Sequence, residues 1–404
     1  MDTIKGFSGL SDYYFTSDKL EAYGNGNLLK GGLVYADRIT TVSRSYASEI
    51  RMPFYGEGLD GLLRARSKQL SGIVNGIDYN VYNPKTDKDI AVNYSVEDAI
   101  KAKAANKTAL QKELGLEENP DAFMLGIVSR LTDQKGLDLV ECVLDQICAE
   151  DVQLVVLGTG EGKYQDMFTY YSRKYPERVS ANIFYSEALS HRIYASCDAF
   201  LMPSLFEPCG LSQLMSLRYG TLPIVRETGG LRDTVTPYNE VDGTGTGFSF
   251  TNYNAHEMLA IIRYAKKTYF NDRKAWNEMV LRAMKQDFSW DASAREYEKL
   301  YDGLIEEEAR RKEAIRLQQA REAAEAALKE AEKALELAKR AEEKAIRKFS
   351  GIEDEPEDEK AEISKAEEID ETPEAAPESE EATEVLETPE TPEEVSETAV
   401  EEKE

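Results

Sequence analysis

Two stretches of the sequence decide the fold: SLFEPCGLSQL at residues 204–214 and TGGL at residues 228–231. In the first, Glu207 is followed by Pro208, which lacks a backbone N–H, and by Gly210, which tolerates unusual backbone angles near a ligand. The second follows a short apolar run and leads towards a helix, so its backbone N–H groups are predicted to converge on an anion. Both stretches are therefore predicted to be strand-to-helix turns of an α/β fold.

Short apolar runs alternate with longer amphipathic segments from about residue 93 to residue 287. This alternation predicts a parallel sheet covered by helices, because buried parallel strands read as continuous apolar runs. The predicted strands are 124–128, 152–157, 179–184, 199–202, 222–225 and 247–250.

Charged side chains follow these strands at the edge where ligands bind in such sheets. The segment SRLTDQKGL at residues 129–137 carries Arg130, a planar fork for phosphate oxygens, and Lys135, a point charge. Alone, a pair of cations at this spacing is mostly found on a surface loop, and Glu207 is equally an acid in the first turn of a helix. Their shared position predicts a sugar-nucleotide site, in which Glu207 accepts sugar hydroxyls and the cations hold the departing diphosphate.

Other motifs give weaker signals. GTGEG at residues 158–162 is interpreted as a structural turn, and Lys163 breaks the dinucleotide fingerprint, which sets an oxidoreductase aside. Tyr185 either presents its ring to an adenine or caps the sheet edge. His191 and Cys209 are interpreted as packing residues, because neither a base–nucleophile partner nor metal-ligand spacing accompanies them. No metal and no cofactor are predicted.

The composition of the chain narrows the classes of partner that it is expected to bind. The chain has 404 residues and a net charge of −27, with 24 of its 76 acidic residues after residue 350. Such a negative tail repels nucleic acid and anionic membrane surfaces. Its 4 cysteines form no Cys-x-x-Cys pair, which suits a reducing compartment. With no long apolar run and no signal peptide, a bacterial cytoplasmic location is expected, and a plastid is the alternative.

The remaining sequence predicts how the chain is organised. Residues 1–80 hold a helix at 28–35, a strand at 39–42, a helix at 46–52 and a strand at 73–77, too little to bury an independent core. The predicted segments are a domain remnant at 1–80, a linker at 81–92, a donor-binding domain at 93–287, a returning helix at 288–304, a charged helix at 305–350 and an acidic disordered tail at 351–404.

The segment 305–350 is rich in Ala, Glu, Lys and Arg, which are strong helix formers. A partial heptad begins at Leu328 and fails at Glu342, so the pattern favours a solvated single helix over a coiled coil. The tail that follows has no aromatic residue and is dominated by Pro, Glu, Thr and Ala, a composition typical of disorder.

Several further segments appear in order: LKGGLVYAD at 29–37, ITTVS at 39–43, GIVNGID at 72–78, YSEALSHR at 185–192 and DFSW at 287–290. Together with the motifs above, they resemble the bacterial glycogen synthase and plastid starch synthase family. The resemblance is continuous from roughly Gly9 to Leu304. So many matches in one order outweigh the weakness of each motif alone.

The resemblance implies a two-domain GT-B glycosyltransferase that moves glucose from ADP-glucose to the non-reducing end of an α-1,4-glucan, with retention and without a protein nucleophile. By this resemblance Arg130 and Lys135 bind the diphosphate and Glu207 binds the donor glucose. Tyr185 lies near the adenine, and Asn75 lies near the hinge and approaches the donor. The backbone of Thr228, Gly229 and Gly230 lines the phosphates.

One departure from the family pattern leads to an alternative. Family members begin with a lysine-and-glycine loop that reaches the donor, and nothing in residues 1–80 matches it. The chain is therefore expected to be N-terminally truncated. The alternative function is a catalytically silent nucleotide-sugar-binding fragment, whose 305–350 helix or acidic tail recruits a protein partner.

Overall fold

The computed structural model of the chain describes residues 2–351. Contacts between residues divide the chain into two units, with the boundary between Arg311 and Lys312. From residue 352 onward, the tail that the sequence predicts to be disordered lies outside the described residues.

The strands alternate with helices after residue 98. The strands are β1 Glu21–Ala22, β2 Asn25–Gly26, β3 Ile39–Thr41, β4 Leu70–Gly72, β5 Phe123–Val128, β6 Val152–Leu157, β7 Val179–Asn182, β8 Ala199–Met202, β9 Leu222–Arg226 and β10 Phe248–Phe250. The helices are α1 Asp2–Ser8, α2 Leu28–Tyr35, α3 Arg44–Glu49, α4 Pro53–Gly56, α5 Asp60–Ala65, α6 Ala99–Leu114, α7 Leu137–Ala149, α8 Gly162–Lys174, α9 Glu187–Ser196, α10 Ser212–Arg218, α11 Gly229–Thr234, α12 Ala255–Asn271, α13 Arg273–Met284 and α14 Trp290–Phe349.

One six-stranded sheet forms the centre of the larger unit, in the order β10-β9-β8-β5-β6-β7. All of its neighbouring strands pair in parallel. Every residue of β6, β8 and β9 is buried, because helices cover both faces of the sheet. This arrangement confirms the predicted parallel α/β fold.

The carboxyl ends of these strands meet at one edge of the sheet. The turn Asp133–Lys135 follows β5, the segment with Glu207 follows β8, and the TGG turn at 228–230 follows β9. Strand β7 ends at Asn182, two residues before the predicted end, and the chain then turns outward to the exposed Tyr185. The topology therefore gathers the predicted site residues, as expected for such a sheet.

The prediction of a strand at 73–77 is wrong. The strand is β4, which ends at Gly72 and pairs in parallel with β3. The apolar residues that suggested a strand pack instead against the start of α14. There the N–H of Ile77 donates to the Phe288 carbonyl at 2.8 Å, and the Ser293 hydroxyl donates to the Val74 carbonyl at 2.6 Å.

Helix α14 continues without a break from Trp290 to Phe349, through both segments that the sequence separates at residue 304. Every residue from 309 to 349 is exposed, as expected for a solvated helix. Pairs such as Arg321 with Glu325 and Arg340 with Glu336 stabilise it by about 0.3–0.5 kcal/mol each. Within residues 2–351, no helix has both the length and the apolar character required to cross a bilayer.

Candidate functional site

The centre of the candidate site is an ion pair between two separate loops. The Lys135 ammonium lies 2.6 Å from Oε2 of Glu207, and the two side chains are only 17% and 8% exposed. The Ser204 hydroxyl donates to the same oxygen at 3.2 Å. Within residues 2–351, no hydrogen bond engages the other oxygen, Oε1.

The two loops are also joined through their main chains. The N–H of Leu205 donates to the Gln134 carbonyl at 2.9 Å, and the Gln134 amide donates to the Phe206 carbonyl at 3.3 Å. Because these bonds fix one loop against the other, Lys135 and Glu207 are held together by more than their charges.

Arg226 donates hydrogen bonds to the loop that carries Glu207. The sequence interpretation missed this residue. This last residue of β9 is 8% exposed. Its Nε donates to the Ser204 carbonyl at 2.9 Å, its Nη2 donates to the Leu205 carbonyl and its Nη1 donates to the Thr251 carbonyl at 3.4 Å. The available signal was a cation directly after the apolar run 222–225, since arginine is seldom buried without partners.

The TGG turn does meet an anion, and the anion is a side chain of the same protein. The Gly229 N–H donates to Oε1 of Glu49 at 2.7 Å, and the Thr228 hydroxyl lies 3.2 Å from the same oxygen. The Gly230 N–H donates to the Glu207 carbonyl at 3.0 Å. Glu49 is the last residue of α3, and the sequence interpretation did not single it out.

Arg130 and Tyr185 line a neighbouring cavity of about 280 Å³. Arg130 is exposed, and its Nη2 donates to the Gln134 side chain at 3.3 Å, which connects it to the loop that also carries Lys135. Tyr185 is 85% exposed, so its ring is free to stack on a planar group. The structure thus brings both residues to the edge of the sheet that carries Glu207.

Asn75 reaches the site through its main chain. Burial raises the pKa of the Cys209 thiol, and a hydrogen bond from the Asn75 backbone partly offsets this increase. Cys209 is itself only 6% exposed, as expected for a packing residue. Asn75 therefore contacts the Glu207 segment two residues beyond the carboxylate.

Among the described residues, one group has the composition of a metal site: Asp87, Asp89 and His191. Asp87 already accepts hydrogen bonds from His191 Nδ1 at 2.7 Å and from the Tyr219 hydroxyl at 2.5 Å. Burial acts to raise the pKa of Asp87, but these hydrogen bonds, one from the Asp89 backbone and the charge of His191 together lower it. Asp87 and His191 therefore belong to a buried hydrogen-bond network that packs α9 against the chain before α6, whereas Asp89 is exposed.

Two parts of the chain match known families. Residues 1–65 match the starch synthase catalytic domain, and residues 108–280 match glycosyl transferases group 1. The glycogen synthase of Lachnospira eligens is 69% identical over 301 residues, which are 74% of this chain and 63% of the relative. The glycogen synthase of Lachnoclostridium phytofermentans is 63% identical over 302 residues, which are 75% of this chain and 63% of the relative.

A solved structure is also similar. The catalytic domain of starch synthase IV from Arabidopsis thaliana, bound to ADP and acarbose, matches with a TM-score of 0.68 and 34% identity. The match covers 73% of this chain and 62% of that structure. The chain thus spans about 63% of the length of the curated relatives it matches.

Proposed function

This chain belongs to the glycogen synthase and starch synthase family of GT-B glycosyltransferases, and we infer that it transfers glucose from ADP-glucose to the non-reducing end of an α-1,4-glucan with retention. The site geometry supports this function. An ADP-bound relative with 34% identity supports an adenosine diphosphate leaving group. The glucan acceptor and a bacterial cytoplasmic location are proposed from the glycogen synthase relatives.

The observation that carries the proposal is the distance of 2.6 Å between Lys135 and Glu207. Glucose and the first phosphate of a sugar nucleotide share one oxygen atom, so the groups that bind them must be neighbours. We assign Glu207 to the glucose hydroxyls, and Lys135 with Arg130 to the diphosphate. Tyr185, at the cavity that Arg130 also lines, is assigned to the adenine.

The proposed chemistry needs charge stabilisation more than a nucleophile. As the glucosyl bond breaks, negative charge grows on the diphosphate, and fixed cations lower the barrier by binding that charge. The acceptor hydroxyl then attacks from the face that the phosphate leaves, and the phosphate takes its proton. Met215 occupies the position eight residues after Glu207 and lines the cavity, so no second carboxylate stands there.

The remaining predicted residues are assigned supporting places. Asn75 is proposed to approach the donor next to Cys209, where its backbone already meets the Glu207 segment. Thr228, Gly229 and Gly230 are proposed to lie beneath the phosphates. Because the N–H groups of Gly229 and Gly230 are engaged by Glu49 and by the Glu207 carbonyl, we assign the diphosphate charge mainly to Arg130 and Lys135.

Two measurements on the full chain test the proposal: calorimetric titration with ADP-glucose, and incorporation of labelled glucose into glycogen. We expect Lys135→Ala to lower both by roughly one to two orders of magnitude, since a charge-assisted hydrogen bond contributes about 1.5–3 kcal/mol. Lys174→Ala removes an exposed ion pair with Asp145 and serves as the matched control.

The outcomes separate the candidate functions. Donor binding without incorporation would establish the alternative, a nucleotide-sugar-binding protein that does not transfer. Incorporation that Lys135→Ala leaves unchanged would remove Lys135 from the site. Absence of donor binding by the unaltered chain would overturn both functions.

A further inference from the structure

Helices α3 and α11 cap one another. At the end of α3, Glu49 accepts the Gly229 N–H at 2.7 Å, at the start of α11. Near the end of α11, Asp233 accepts the backbone N–H of Ser45 at 3.0 Å and its hydroxyl at 2.6 Å, at the start of α3. Each helix thus places a carboxylate at the N-terminus of the other, where unpaired N–H groups favour negative charge.

Among the described residues, hydrogen bonds lead from the Glu49 contact into the Glu207 segment. The Gly230 N–H donates to the Glu207 carbonyl, and a Cβ added to Gly229 would lie 2.0 Å from that same oxygen. A Cβ added to Gly230 would lie 1.9 Å from the Cys209 carbonyl. The TGG turn and the Glu207 segment are therefore in contact without free space, and a shift of the turn shifts the backbone of Glu207.

A second contact reaches the same segment from the N-terminal part of the chain. A hydrogen bond from the Asn75 backbone lowers the pKa of the Cys209 thiol, so a second residue before 80 acts on this segment. Among the described residues, hydrogen bonds connect Glu49 to Glu207 through Gly229 and Gly230. Its carboxylate is engaged by the TGG turn and does not have to touch a donor to influence its binding.

We propose that Glu49 is a positioning residue for donor glucose: by holding the Gly229 N–H, it sets the position of the Glu207 carboxylate. This inference rests on the proposed function. A charge-assisted bond to a backbone N–H is stronger than a neutral one, so Glu49 fixes the turn more firmly than a neutral acceptor. A residue that only caps a helix would affect the binding of every ligand equally. A positioning residue for donor glucose affects the binding of the glucose part selectively.

The experiment compares two ligands on the full chain without an acceptor. ADP lacks the glucose that Glu207 is proposed to bind, so it reports on the diphosphate and adenine contacts alone. We expect Glu49→Ala to weaken ADP-glucose binding about tenfold and ADP binding about twofold or less. Glu49→Gln keeps an acceptor without the charge and is expected to fall between the unaltered chain and Glu49→Ala.

Asp233→Ala is the matched control, because it breaks the other end of the same helix pair. We expect it to lower the melting temperature as Glu49→Ala does, while the ratio of the ADP-glucose and ADP dissociation constants stays within about twofold of that of the unaltered chain. Equal weakening of both ligands by Glu49→Ala, or the same change in ratio in Asp233→Ala, would overturn the inference and leave the proposed function intact.

Hydrogen exchange gives a readout that does not depend on ligand. In Glu49→Ala, amides of residues 204–211 should exchange faster than in Asp233→Ala, and equal exchange would contradict the positioning role. If the unaltered chain bound neither ligand, the proposed function would fail, and the inference about donor glucose would fail with it. Loss of ADP-glucose binding in Lys135→Ala but not in Glu49→Ala would overturn the inference alone.

Discussion

At the scale of single residues, the structure shows buried cations near both ends of the sheet. The guanidinium of Arg226 gathers carbonyl oxygens at the base of the Glu207 loop. The ammonium of Lys103 lies at the opposite end of the sheet, where it donates to the Thr221 hydroxyl at 2.7 Å and to the Ala195 carbonyl at 3.1 Å. Each cation satisfies backbone oxygens that burial would otherwise leave unpaired.

Replacement of Arg226 tests its role in the loop. Arg226→Met leaves the Ser204 and Leu205 carbonyls without their donors, so we expect a loss of about 1–3 kcal/mol in the free energy of unfolding. Urea unfolding measures this loss. Arg263→Met, which breaks an exposed pair with Glu150, should change stability by less than about 1 kcal/mol. If both variants lost the same free energy of unfolding, Arg226 would have no special role in holding the Glu207 loop.

The buried ammonium of Lys103 predicts a pH dependence of stability. Burial lowers the pKa of Lys103 to about 7, from an ordinary value of 10.5. Between these values the unfolded chain binds a proton that the folded chain has released, so this group makes stability rise as pH increases from 7 towards 10. Below pH 7 both states are protonated, and the contribution no longer changes.

The measurement is urea unfolding at pH 7 and pH 9, on the unaltered chain and on Lys103→Met. Stability of the unaltered chain should rise relative to that of the variant between the two pH values. If the difference between the two proteins stayed constant, Lys103 would not titrate in this range.

At the scale of elements, the TGG turn is a tightly constrained connection near the site. Gly229 has a φ of 45°, in the left-handed region, and a Cβ added there would lie 2.0 Å from the Glu207 carbonyl. We expect Gly229→Ala to cost more than about 1 kcal/mol of stability, because both the backbone angle and the contact oppose a side chain.

Circular dichroism during thermal unfolding checks this cost. Gly162→Ala is the control, because a Cβ at Gly162, the first residue of α8, meets nothing within 4 Å. That substitution should be neutral or slightly stabilising. A Gly229→Ala protein as stable as the control would show that the turn has room to adjust.

The elements also show what the sequence permits one to predict. Strands β6 and β8 are found at their predicted bounds, because buried parallel strands are continuous apolar runs between turns. Strand β4 has no such pattern, since Leu70, Ser71 and Gly72 are all half-buried at the edge of a two-stranded sheet. Its apolar neighbours at 73–77 gave the stronger signal, although tertiary packing against α14 is what buries them.

The residues of the candidate site also divide into those that the sequence predicts and those that it does not. The position of Arg130, Lys135 and Glu207 at one edge of the sheet was predictable because each follows a strand, and their charges suit the proposed sugar nucleotide. Glu49 and Arg226 act on backbone groups that come together only in the folded chain: Glu49 lies 180 positions from Gly229 in sequence. The cation after the apolar run 222–225 indicates that Arg226 is buried, but no local pattern marks the partners of Arg226 or of Glu49.

At the scale of the whole molecule, charge and exposed apolar surface have opposite effects on solubility. Residues before 80 expose large apolar side chains, among them Phe7, Tyr23, Leu29 and Phe54. The chain after residue 350 holds 24 acidic residues, whose repulsion keeps molecules apart. Solubility is therefore expected to depend on segments that are far from the site.

Removal of the charged segments tests this balance. We expect a chain that ends at residue 304 to aggregate at concentrations at which the full chain stays monodisperse, because the apolar patch is then no longer offset. Light scattering measures the difference, and added salt should move the full chain in the same direction by screening its charge. A monodisperse, stable 1–304 protein would contradict this prediction.

The most direct measurement is a crystal structure of the full chain with ADP-glucose. The glucose hydroxyls should lie within hydrogen-bonding distance of Glu207, the diphosphate on Arg130 and Lys135, and the adenine beside Tyr185. A nucleotide sugar bound elsewhere, with Lys135 and Glu207 still paired and out of reach of the ligand, would contradict the assignment of this edge of the sheet as the donor site.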